Sequence, residues 1–125
     1  MYIFYNEKTD YLEVLEKKVR NYSKPLKNGL FKIFSEKGRK PIGFGIESVS
    51  KRYKDLDIFD PFVRLSIMIK ISRLKHHYTQ QQIAAKLNMG LLPYQRLESG
   101  KNNPTLKTLL KVKEVLPDLD LSKVA

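Results

Sequence analysis

The chain contains no cysteine. Disulfides, thiolate nucleophiles and cysteine-bearing zinc sites are therefore excluded. No apolar run approaches the ~18 residues of a membrane span. The N-terminus lacks the basic-then-apolar order of a secretory leader, so the cytoplasm is the expected setting. Histidine is scarce, with two residues. His76 and His77 are adjacent on a predicted helix, about 100° apart, and cannot hold one metal from one face. They are expected to cap the helix end. Asp10 and Glu13 have no His or Lys framework beside them and read as surface charge. Gly43-Phe44-Gly45 is too short for a phosphate loop. No enzyme, metal site or cofactor is expected.

What the chain does have is positive charge. It carries 24 Lys and Arg against 13 Asp and Glu, a net of +11. Residues 61–125 hold 11 and 4, a net of +7, and residues 1–60 hold 13 and 9, a net of +4. Such an excess attracts nucleic acid or an anionic membrane, or only keeps a surface soluble. A chain of 125 residues is one ordinary domain or two very small ones. A half of about 60 residues is near the limit for folding alone.

The first half reads as strands. Tyr2 to Tyr5 is an aromatic and branched run, followed by turn residues from Asn6 to Asp10. Leu12 and Val14 alternate with Glu13. Pro25 and Asn28-Gly29 mark a loop. Leu30 to Phe34 is a third strand, Glu36-Lys37-Gly38 a turn, and Ile42 to Ile46 a fourth. Gly43 and Gly45 share a face of that last run, where they admit a close neighbour or bend the strand.

The second half reads as helices. Asp60-Pro61 is a cap followed by proline at the first helical position. From Phe62 to His77 the apolar stripe is too wide for one-sided packing. This helix is expected to touch both halves or a partner subunit. Thr79 and Gln82 have capping-box spacing. Asn88 and Gly90 bracket a tight turn. A short helix from about Leu91 ends near Gly100. Pro104-Thr105 opens a last helix with Leu106, Leu109, Leu110 and Leu116 inward, and Pro117 stops it. The expected fold class is α+β. A small antiparallel meander of three or four strands (residues 1–58) precedes an all-α domain of four or five helices (59–125).

The text Tyr78-Thr79-Gln80-Gln81-Gln82-Ile83-Ala84, then Arg96-Leu97-Glu98-Ser99-Gly100, then Asn103-Pro104-Thr105-Leu106 resembles the DNA-binding domain of phage repressors, the Xre-type (Cro-type) helix-turn-helix. Thr79 and Gln80 open the second helix, where free backbone N–H groups and the positive dipole end suit a phosphate. The resemblance implies that Leu91, Leu92, Gln95 and Arg96 face base edges in the major groove. Arg and Gln can pair with guanine and adenine, and the leucines can touch thymine methyls or bind protein. Lys101, Asn102 and Lys107 would follow the phosphate track. The resemblance also implies a structural ion pair between Arg73 and Glu98.

Tyr5-x-x-x-x-Asp10-x-Leu12-x-Val14 and Ile42-Gly43-Phe44-x-Ile46-Glu47-x-x-Ser50 resemble a small β-domain of bacterial antitoxins. The layout of the whole chain resembles HicB-type antitoxins. The implied protein is a cytoplasmic, dimeric repressor of operator DNA that also neutralises a toxin and regulates its own operon. The alternative is a stand-alone Xre-type transcriptional regulator whose N-terminal domain dimerises or senses a ligand.

Overall fold

The computed structural model describes residues 1–101 and 103–123. The chain divides into two compact units, Met1–Asp55 and Leu56–Ala125. The first is a sheet and the second is helical, so the fold is α+β as expected.

The sheet has five strands: β1 (Tyr2–Asn6), β2 (Tyr11–Leu15), β3 (Asn21–Lys27), β4 (Leu30–Ser35) and β5 (Pro41–Ile46). Every pairing is antiparallel, in the order β1-β2-β5-β4-β3. The expectation of a three- or four-stranded meander therefore needs correcting. β5 inserts between β2 and β4, and β3 lies where a loop was expected. β3 escapes a periodicity reading because every one of its seven residues is exposed and it contains Pro25. An edge strand tolerates a proline, whose missing N–H breaks no inner ladder.

The register puts Ile3, Leu12, Val14, Leu30 and Ile46 on one face, all buried. On the other face Leu15 and Ile33 both lie opposite Gly43, and they cluster with Ile42. A Cβ at Gly43 would sit 2.0 Å from the Val14 carbonyl oxygen, so the glycine admits a close neighbour. Gly45 does the same for the Tyr11 ring, whose hydroxyl would lie 2.2 Å from an added Cβ. Burial, then the nearby Glu13 carboxylate, pushes the Tyr11 phenol up to about 12.

Asp10 is a correction to the surface-charge reading. Its carboxylate accepts the Tyr5 hydroxyl at 2.6 Å, the Ser50 hydroxyl at 2.6 Å and the Ser50 N–H at 3.2 Å. Its backbone carbonyl accepts the Val49 N–H at 3.1 Å. The side chain thus ties the β1–β2 turn to the segment after β5. Burial, then the bond to Asp10, raises the Tyr5 phenol well above its usual range.

The helical unit holds α1 (Pro61–Lys75), α2 (Gln80–Lys86), α3 (Leu91–Glu98) and α4 (Leu106–Val115). Asp60 caps α1, accepting from the N–H groups of Phe62 and Val63, with Pro61 at the first helical position. Thr79 and Gln82 close a capping box on α2. Thr105 caps α4. The first three helices leave through the same device. His77, Asn88 and Gly100 each follow the C-cap at φ 59, 54 and 74. The next N–H then reaches back to the Arg73, Ala84 or Arg96 carbonyl at 3.2, 2.9 and 3.1 Å. These are the two-bond exits that a left-handed residue permits. His76 and His77 thus end α1.

The wide stripe of α1 is buried from Val63 to Arg73, except for Arg64 and Lys70, which are half-buried. The expected inward row of α4 was wrong in part. Val112 and Leu116 are buried, but Leu106 and Leu110 are 72% and 57% exposed. Apolar residues occupy two rows of this helix. Leu109, Val112 and Leu116 form one and Leu106 and Leu110 the other. Only the first turns inward.

Candidate nucleic-acid interface

Four exposed residues of α3 share one face: Leu91, Leu92, Gln95 and Arg96. They recur at i, i+1, i+4 and i+5, which is one side of a helix. Tyr94, Leu97 and Glu98 occupy the opposite side and are buried. The helix therefore offers an apolar first turn and a polar second turn to its surroundings. Gly90 caps it through the backbone only, with no side-chain bond.

Behind this face lies a buried polar centre. Glu98 accepts from Arg73 Nε and Nη2, both at 2.8 Å. The guanidinium also donates Nη1 to the Tyr78 carbonyl at 2.8 Å. The Tyr94 hydroxyl donates to Glu98. Burial works against the Arg73 charge, but the Glu98 bonds outweigh it and raise its pKa. Burial, then the Glu98 charge, raises the Tyr94 phenol far above its usual value, so it stays a donor. Burial lowers the Lys70 ammonium, with Glu98 opposing and Arg73 adding to the effect. The Arg73–Glu98 pair thus joins α1, the loop before α2, and α3. Ser66 adds a second tie, donating to the Leu97 carbonyl at 2.7 Å.

The same carboxylate reaches the exposed face. Gln80 Nε2 donates to Glu98 Oε1 at 3.3 Å. Gln95 Nε2 in turn donates to Gln80 Oε1 at 3.1 Å. Gln80 is therefore turned toward α3, where one amide hydrogen and its carbonyl are engaged. Its second amide hydrogen is the donor that a phosphate could take. Sequence reasoning missed two things here: the Tyr94 bond and the Gln80–Gln95 link. The i, i+4 spacing of Tyr94 and Glu98 was a signal for the first. Nothing in the spacing pointed to the second.

The remaining candidates fall around the face. Thr79 is exposed, with its hydroxyl accepting the Gln82 N–H at 3.0 Å. Lys101 is exposed just after α3, and Lys107 is exposed on the first turn of α4. Asn102 lies outside the described residues. The Lys86 ammonium lies over the Tyr78 ring, 5.2 Å from its centroid.

Residues 69–124 match the family model of the helix-turn-helix. These residues form a helix-turn-helix domain within the C-terminal unit. In this domain α2 and α3 are the two helices of the motif and Asn88 to Gly90 is its turn. No curated protein and no solved structure matches the chain. Among the described residues no helix is long and apolar enough to cross a membrane.

Proposed function

We propose that the chain is a sequence-specific repressor that reads operator DNA with α3. The observation that carries this is the exposed row of Leu91, Leu92, Gln95 and Arg96 on a helix locked from behind by Glu98. A rigid helix of this kind can enter a major groove. Arg96 would bond guanine and Gln95 adenine, while the leucines meet thymine methyls. Thr79, Gln80, Lys101 and Asn102 would hold the phosphates on either side. The test is a titration of duplexes from the chain's own upstream region at several salt concentrations. Affinity should fall steeply with salt as condensed counterions are displaced. No binding to any fragment overturns the reading.

The repressor acts as a homodimer. Leu106 and Leu110 support this, because they lie one turn apart on α4 and are largely exposed. Two copies would read half-sites about 34 Å apart. Leu106→Glu with Leu110→Glu should give a monomer in sedimentation. A dimer that survives the change excludes this face.

A toxin-neutralising role for the N-terminal unit is the second reading. It is favoured by edge strand β1, where Tyr2 and Phe4 are exposed and stacked with centroids 6.4 Å apart. Such an edge can pair with a partner's strand. Co-purification with the neighbouring gene product tests it. With no such capture by the wild type, the stand-alone regulator is the better account.

A further inference from the structure

The positive charge of the chain is concentrated. Residues 17–40 hold nine Lys and Arg against one acid, Glu36, and supply +8 of the total +11. This segment is the β3–β4 hairpin with its flanks. β3 is a sheet edge exposed along its whole length. Lys24 and Lys32 stand directly opposite each other in the register. Like charges in that arrangement destabilise a strand pair. Among the described residues none of the nine cations has an ion-pair partner to offset the cost.

Lys24 is also held in place. The Tyr22 and Phe34 rings stack with centroids 5.5 Å apart. Lys24 Nζ lies over both, 5.9 and 5.5 Å from their centroids. That contact fixes the ammonium without engaging its N–H donors in a carboxylate bond. At the end of the hairpin where Asn21 pairs with Ser35, an open pocket of about 340 Å³ is lined by Lys17, Val19, Arg20, Ser35, Glu36 and Lys37. Three cations around one carboxylate leave it positive.

We propose that the β3–β4 hairpin binds the phosphate backbone of duplex DNA without regard to sequence, as a second contact besides α3. The proposal rests on the reading that this chain binds DNA. Cations set side by side across a strand pair suit regularly spaced phosphates, which carry no sequence information. A single strand would need open ring faces to stack on. Tyr22 and Phe34 spend theirs on each other and on Lys24. A lipid surface would take up an apolar row, whereas the exposed apolar residues here, Val19, Tyr22 and Leu26, are interspersed with Lys18, Arg20, Lys24 and Lys27.

The test uses the full chain carrying Lys24→Gln and Lys32→Gln, with a duplex of unrelated sequence as the probe. The slope of log affinity against log salt should shrink by about 2, close to one for each lysine removed. Lys24→Arg with Lys32→Arg should keep the original slope. The glutamine variant loses the like-charge pair and also the Lys24 contacts with the two rings, effects of opposite sign, so its melting midpoint should stay close to that of the wild type. An unchanged slope overturns the proposal and leaves α3 as the DNA contact. A wild type that binds no duplex at all overturns the DNA reading and this proposal with it. If phosphatidylglycerol vesicles capture the wild type and not the glutamine variant, while the DNA slope is unchanged, the hairpin is a lipid contact instead.

Discussion

Glu98→Ala removes the acceptor at the middle of the helix-turn-helix domain. It deletes two bonds from Arg73 at 2.8 Å, one from Gln80 at 3.3 Å and one from Tyr94. The Arg73 side chain is 9% exposed and that of Glu98 is 2% exposed. The guanidinium would stay buried, still donating to the Tyr78 carbonyl but without its counter-charge. Removing one partner of a buried pair costs about 3–5 kcal/mol. The unit spans residues 56 to 125, 70 in all. At roughly 0.05–0.15 kcal/mol per residue, its stability would be about 4–10 kcal/mol. The variant should therefore lose between a third and all of it. The melting midpoint should drop by roughly 12 °C or more, at about 4–8 °C per kcal/mol. Urea unfolding followed by far-ultraviolet circular dichroism measures the loss. Replacing both partners, Arg73→Met with Glu98→Leu, should recover much of it, because no buried charge is left alone. A loss below about half a kcal/mol for Glu98→Ala, the size of an ordinary surface change, refutes the reasoning.

Arg96→Ala should leave the melting midpoint in place, since the side chain is exposed. It should cost about 1–3 kcal/mol at one base pair and relax preference there, read by competition between operator variants. Asp10→Ala should cost the N-terminal unit about 1–3 kcal/mol, because the Tyr5 and Ser50 donors lose their acceptor. Hydrogen exchange at the β1–β2 turn would reveal it, and unchanged protection would refute the tie. Acid should loosen the end of the chain. Burial alone would raise the Asp118 carboxyl, but bonds from His76, Ser72 and its own backbone N–H outweigh it and hold the group below its usual 3.8. A depressed carboxylate adds stability above that value and loses it as pH falls below. Asp118→Asn should remove this part of the acid response in a pH series of thermal melts, and an unaltered pH series would exclude the effect.

Much of the helical unit was legible because its signals are local. Asp60-Pro61, the Thr79–Gln82 box and Gly100 act on backbone groups within a turn of themselves, so the residues name the helix ends. The glycine face of β5 was legible for the same reason, as an absence of side chain at alternate positions. Strand β3 was not legible, since an exposed edge has no buried row to give it a period and Pro25 argues for a loop. The insertion of β5 between β2 and β4 was not legible either, because strand order depends on pairings between residues about thirty positions apart. On α4 the residues supplied two apolar rows, and only packing decided that Val112 goes in and Leu110 stays out. The same limit applies at the interface. The run from Thr79 to Gly100 marked where the exposed face would be. It could not say that Gln80 bonds to Glu98 and Gln95. That arrangement depends on distances between three helices, which exist only once the chain has folded.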